Sequence, residues 1–198
     1  MAKIKWRGGA LIAPLPPVMV SSGDMDNSNI MTVAWTGILA TVPPRTYISV
    51  RKRRHSHALL SEKREFVIHL PSAGLVREVD FCGMYTGAKI NKLERCGFTL
   101  LPSAEVSAPT IAECPIALEC RVSEIREMGS HDVFFADILR VTADESLFDE
   151  AGKLHIERAD LLAYAHGDYY RLGKCVGGFG FSARKKKHGA RRGGGGRT

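Results

Sequence analysis

Between Ile48 and Leu60 the sequence reads ISVRKRRHSHALL: an alternating apolar run meets seven polar or basic residues, then turns apolar again. Arg51 and Arg54 supply guanidinium forks, and Ser56 supplies a hydroxyl and a candidate helix N-cap. His57–Leu60 supply the free N–H groups of a first helical turn. Charge, hydroxyl and backbone donors at a helix start are what a dianionic phosphate group requires. A solvated turn accounts for the same residues, with Ser56 capping its helix and the arginines facing water. Spacing alone leaves both readings open.

Other chemistries find less support. The chain has no Cys-x-x-Cys, no His-Glu-x-x-His and no Gly-x-Ser-x-Gly. His55 and His57 stand two apart, which reads as a turn rather than a metal pair, so no metal site is expected. GFGFSA (Gly178–Ala183) fits Gly-x-Gly-x-x-Ala, but a basic Gly-rich tail follows it where a dinucleotide fingerprint needs a helix and an acid about 20 residues on.

The net charge is +7. Seven of the 28 basic residues lie in the tail ARKKKHGARRGGGGRT, leaving 21 against 21 acids in the body to Ser182. The positive excess therefore belongs to the tail, and nucleic-acid binding is expected only weakly, through it. Residues 183–198 hold almost nothing apolar and are expected to be disordered. The five cysteines are odd in number and widely spread, and with no secretory segment they read as reduced thiols of a cytoplasmic protein. Glycine and proline interrupt the N-terminal apolar stretch, which spoils a membrane helix.

The elements that must position the cradle are mainly strands. VMVSS (18–22), IMTVAWTGILATV (30–42), RTYISV (45–50) and EFVIHL (65–70) read as β segments. IALECRVSEI alternates with period 2, and HDVFFADILRV follows it across the hairpin loop EMGSHD. Short helices are expected at 56–63, at 73–81, in KINKLERCG with Gly97 past its end, and in IERADLLAYA (156–165). Length and pattern predict one mainly β, barrel-like domain over residues 1–182.

Taken in order, NSNIMTVAWTG, ISVRKRRHSHALLSEKREFVIHLP, DFCGMYTGAKINKLERCGF, IAECPIALECRV and MGSHDVFFADIL resemble the flavin reductase-like family. These are the FMN-binding split β-barrels that include flavoredoxins, and the resemblance runs from Pro14 to about Gly180. It implies that Asn29, Met31, Thr32 and Ala34 lie near the isoalloxazine ring. It puts Ser49, Arg51, Arg54 and Ser56 near the ribityl phosphate, with Lys92 behind them. The chain departs from the family pattern at Thr86, Asn91, Leu93 and His69.

A flavin carries out the redox chemistry itself, which agrees with a sequence that shows no acid–base dyad. His131, in GSHDVFF, is the candidate catalytic or polar group near the ring. Tyr169 and Tyr170 are candidates to line the pocket. Two functions follow from the resemblance: a reductase passing electrons from NADH or NADPH through FMN to a flavin or other small acceptor, or a flavoredoxin-type carrier reduced by a partner protein. A homodimer with FMN near its interface is implied as well.

Overall fold

The computed structural model describes residues 1–183. The expected tail from Arg184 onward lies outside them. Alternation becomes strand through most of the chain: β1 (Val18–Gly23), β2 (Ser28–Val33), β3 (Thr36–Thr41) and β4 (Pro44–Arg51) precede helix α1 (His55–Lys63). β5 (Glu65–Leu70), α2 (Val76–Met84) and α3 (Lys92–Cys96) follow, then the two-residue strands β6 (Leu100–Leu101) and β7 (Thr110–Ile111). The long hairpin of β8 (Ile116–Glu127) and β9 (His131–Ala143) comes next, with β10 (Leu162–Ala165) and β11 (Asp168–Arg171) last.

Seven strands form one antiparallel sheet in the order β2-β1-β5-β8-β9-β4-β3. The sheet curls so that residues from its two halves share one core. Val20 and Met31 from one end meet Ile48 and Val50 from the other, around Phe66 and Phe134. Each such side chain contributes about 1.5–3 kcal/mol on burial. The opposite face of β1 and β2 offers Met19 and Ile30 to Val79 and Cys82 of α2, Leu93 of α3, Ile111 of β7 and Leu162 of β10. The sheet thus presents apolar residues on both faces near β1, as its unbroken burial shows.

Several boundaries differ from expectation. The segment 30–42 is two strands, because the chain turns at Ala34–Trp35 and the Trp35 carbonyl accepts from the Ser49 N–H at 2.9 Å. The segment 73–81 begins as a 3-10 turn (Ala73–Leu75) before α2. IERADLLAYA is not a helix. A 3-10 turn spans Ile156–Ala159, Asp160 takes the left-handed conformation at φ 48°, and the rest pairs with β11 as β10. The short helix expected in KINKLERCG spans only Lys92–Cys96 and ends, as expected, at Gly97, here at φ 68°.

His69 has identifiable partners. It is fully buried, its Nδ1 lies 3.3 Å from the Met19 carbonyl, and its Nε2 accepts from the Ile111 N–H at 3.0 Å. An acceptor at Nε2 leaves Nδ1 as the N–H donor, so the ring is neutral. Burial pushes its pKa down to about 4. His69 therefore ties β5 to β1 and to the β6–β7 ribbon.

Candidate functional site

The end of β4, the turn into α1 and the C-terminal half of α2 border a cavity of about 430 Å³. That is within the range of small-molecule and cofactor sites. Met31, Thr32 and Ala34 line one wall, and Ser49, Arg51 and Arg54 another. Asp80, Gly83 and Met84 of α2 close a third side, with Tyr164 and Tyr169 from the β10–β11 hairpin. Thr32 donates its hydroxyl to the Val79 carbonyl at 2.5 Å, which fixes β2 against α2. The β4–β9 register sets Arg51 opposite His131, so both reach the same rim.

A narrow recess adjoins the cavity, lined by Asn29, His55, Ser56, Tyr85, Thr86, Gly87 and Lys92; Met31 and Arg54 border both. Helix α1 starts at His55 with Arg54 as its N-cap, so Ser56 is not the cap. Its hydroxyl is buried instead and accepts from Asn29 Nδ2 at 2.5 Å, which leaves the hydroxyl proton free to donate. Arg54 Nη1 donates to the Gly83 carbonyl at 2.8 Å, holding the guanidinium at the junction. Gly87 is required by close approach: a Cβ there would stand 2.0 Å from Asn29 Oδ1.

Lys92 is the group most out of place for a folded protein. It is 3% exposed, and its Nζ donates to the carbonyls of Cys82 at 3.1 Å and Tyr85 at 3.3 Å. An ammonium has three donors. Burial, with some repulsion from Arg54, brings its pKa down to about 8. Among the described residues, no salt bridge uses Arg51, Arg54 or Lys92. Positive charge without a carboxylate partner at a helix start is a site prepared for an anion. The recess holds about 10 Å³, room for one oxygen atom, so an anion would sit at its rim across Arg54.

His131 is half-buried, and burial followed by the charge of Arg51 lowers its pKa. Its Nδ1 lies 2.8 Å from Ser130 Oγ. On the other side of β9, His57 Nε2 meets Asp132 Oδ2 at 2.8 Å, so the cradle helix is fastened to the strand that carries His131. His57 is thus an anchor, and no metal-binding group of three or more His, Cys, Asp or Glu residues occurs among the described residues.

The family model described as "Flavin reductase like domain" matches residues 12–173. The chain belongs to the flavin reductase-like family. An uncharacterized protein of Archaeoglobus fulgidus is 36% identical over 136 residues, which is 69% of this chain and 76% of the relative. Flavoredoxin of Desulfovibrio vulgaris (Miyazaki F) superposes with a TM-score of 0.86 at 30% identity, covering 92% of this chain and 100% of its own. A split-barrel flavin reductase-like protein of Shewanella frigidimarina shares the fold (TM-score 0.74, 17% identity, 82% and 84% covered). The curled sheet is thus the split barrel of this family.

Of the residues expected from the resemblance, Met31, Thr32, Ala34, Ser49, Arg51 and Arg54 line the cavity, as does the separate candidate His131, and Asn29, Ser56 and Lys92 line the recess. Asn91, one of the departures from the family pattern, caps α3: its Oδ1 accepts from the Glu94 N–H at 3.2 Å. Leu93 is a core residue. Tyr169 lines the cavity and Tyr170 is exposed. Sequence reasoning missed Trp35, Asp80, Gly83, Gly87 and Tyr164. Trp35, Asp80, Gly83 and Gly87 all fall within the quoted flavin reductase-like segments, a signal that could have found them, whereas Tyr164 lies outside those segments. No helix among the described residues is long and apolar enough to cross a membrane.

Proposed function

We propose that the chain binds FMN and passes electrons from NADH or NADPH through it to a flavin or other small acceptor. The observation that carries this reading is one junction. A cavity of about 430 Å³ meets, at Met31 and Arg54, a recess containing a buried lysine with no carboxylate partner. On this reading Arg54, the Ser56 hydroxyl and Lys92 hold the phosphate, with the first N–H groups of α1. Met31, Thr32 and Ala34 border the ring, and the N–H groups left free along that segment are its donors, while Ser49 and Arg51 stand toward the phosphate end. Bound FMN supplies hydride and electron transfer; the protein supplies position and electrostatics. His131, its pKa lowered and one ring nitrogen bonded to Ser130, is a neutral polar group at the rim that can orient an incoming acceptor.

The likeness to flavoredoxin favours a second reading, an FMN electron carrier reduced by a partner protein. Anaerobic mixing with NADH and then NADPH separates them: the enzyme reading expects prompt loss of the flavin band near about 450 nm, and the carrier reading expects none. Two further expectations belong here. A homodimer is supported by the edge strand β3 and its flanks, where Trp35, Ile38, Leu39 and Val42 are exposed and Trp35 also lines the cavity. A cytoplasmic setting is supported by five free thiols.

A further inference from the structure

Helices α2 and α3 bring two sulfur atoms together beside the cradle. Cys82 Sγ and Cys96 Sγ lie 3.9 Å apart. Cys82 is fully buried, while Cys96 is half-buried and lines a groove of about 790 Å³ with Phe81, Tyr85, Arg95 and Tyr169. Small solutes can therefore reach one sulfur, with the second directly behind it. The function proposed above uses neither thiol.

The pair shares its scaffold with the cradle. Lys92 and Cys96 are four residues apart on α3 and so lie on one face of it. From that face Lys92 Nζ reaches the Cys82 carbonyl, and Cys96 Sγ reaches the Cys82 sulfur. The next carbonyl along α2, that of Gly83, holds Arg54. Two adjacent residues of α2 thus anchor both cations of the recess and one of the two thiols.

We propose that Cys82 and Cys96 form a reversible disulfide, a modification site that weakens anion binding at the adjoining cradle. The effect on binding rests on the FMN reading; the disulfide itself does not. Hydrogen peroxide is the class of oxidant. Its O–O bond breaks as the Cys96 sulfur takes one oxygen to become a sulfenic acid, and the first water leaves. The Cys82 sulfur then attacks that of Cys96, the S–S bond forms and the second water departs. The thiols lose two electrons and two protons, all of which end in the two waters. Burial raises the pKa of both thiols, Cys82 to about 12, so the reaction is slow, on the order of minutes to hours.

Closure shortens the sulfur separation from 3.9 Å to about 2 Å. Cys82 is packed in the core with Val79 and Met19, so the five-residue α3 must absorb the shift. Lys92 moves with it, and loss of one charge-assisted bond weakens FMN about tenfold.

The test treats the full chain with hydrogen peroxide, then measures intact mass, peptide linkage and FMN affinity by fluorescence quenching. The expected result is a loss of about 2 Da, the mass of two hydrogens, in a Cys82–Cys96 peptide. A dissociation constant about tenfold higher should accompany it, restored by dithiothreitol. Cys96→Ser should bind FMN like the reduced protein and ignore the treatment. A stable sulfinic acid in place of the disulfide, linkage to Cys114 instead, or a disulfide with unchanged FMN affinity each overturns the proposal. If neither form binds FMN, the coupling is wrong along with the FMN reading, while the mass measurement still decides the disulfide.

Discussion

An ammonium group buried against two carbonyls releases its proton easily, which gives Lys92 a signature in solution. Its pKa in the free protein is about 8, against an ordinary value near 10.5, with burial the main cause. A bound phosphate favours the charged form and pulls the pKa back up. FMN binding should therefore take up a proton above about pH 8, and the dissociation constant should rise toward tenfold per pH unit there. Titrations between pH 7 and 9.5 check this; Lys92→Met should bind more weakly and show a flat profile, and a flat wild-type profile would remove Lys92 from the phosphate. Gly87→Ala should also weaken FMN, since its Cβ would displace Asn29 from Ser56. The cradle's residue types were legible in the sequence, because guanidinium, hydroxyl and helix start fall within six residues. Lys92 was legible only through the family resemblance. Asp80 and Gly83, though inside a segment that carries the resemblance, were not legible from spacing, since nothing in the spacing of α2 tells which of its faces meets the cavity.

Among the elements, the strands were read well where alternation met a single buried face. β8 and β9 were expected as a hairpin and pair as one across Met128–Ser130. The failures came where tertiary pairing overrode local pattern. IERADLLAYA carries helical spacing, yet the left-handed Asp160 stops the turn and β11 captures the remainder. His69 shows how the elements are tied to one another, and it makes stability depend on pH. Its folded pKa of about 4 lies below the ordinary 6.5, so the unfolded chain binds a proton that the folded chain refuses. The contribution is complete above about pH 6.5 and is lost as pH falls toward 4, by about 3 kcal/mol in all. Urea unfolding at pH 7 and pH 4.5 should show most of that loss. His69→Gln should be less stable at pH 7, and its deficit should shrink at pH 4.5. An undiminished deficit would mean the buried ring is not what titrates.

For the molecule as a whole, the cavity opens beside an exposed apolar edge, and no second nucleotide domain was legible in the sequence. If nicotinamide and acceptor use that cavity in turn, steady-state kinetics should be ping-pong with parallel double-reciprocal lines. Intersecting lines would exclude the one-cavity scheme. Light scattering should report a dimer, and a monomer with full flavin occupancy would contradict the interface reading. The decisive question is whether a phosphate sits at the rim of the basic recess. FMN and riboflavin share a ring and differ in that group alone, so titrating the full chain with each asks the question directly. FMN should bind about 10- to 150-fold more tightly than riboflavin, and Arg54→Ala should erase most of the difference. Equal affinity of the wild-type protein for the two would contradict the account.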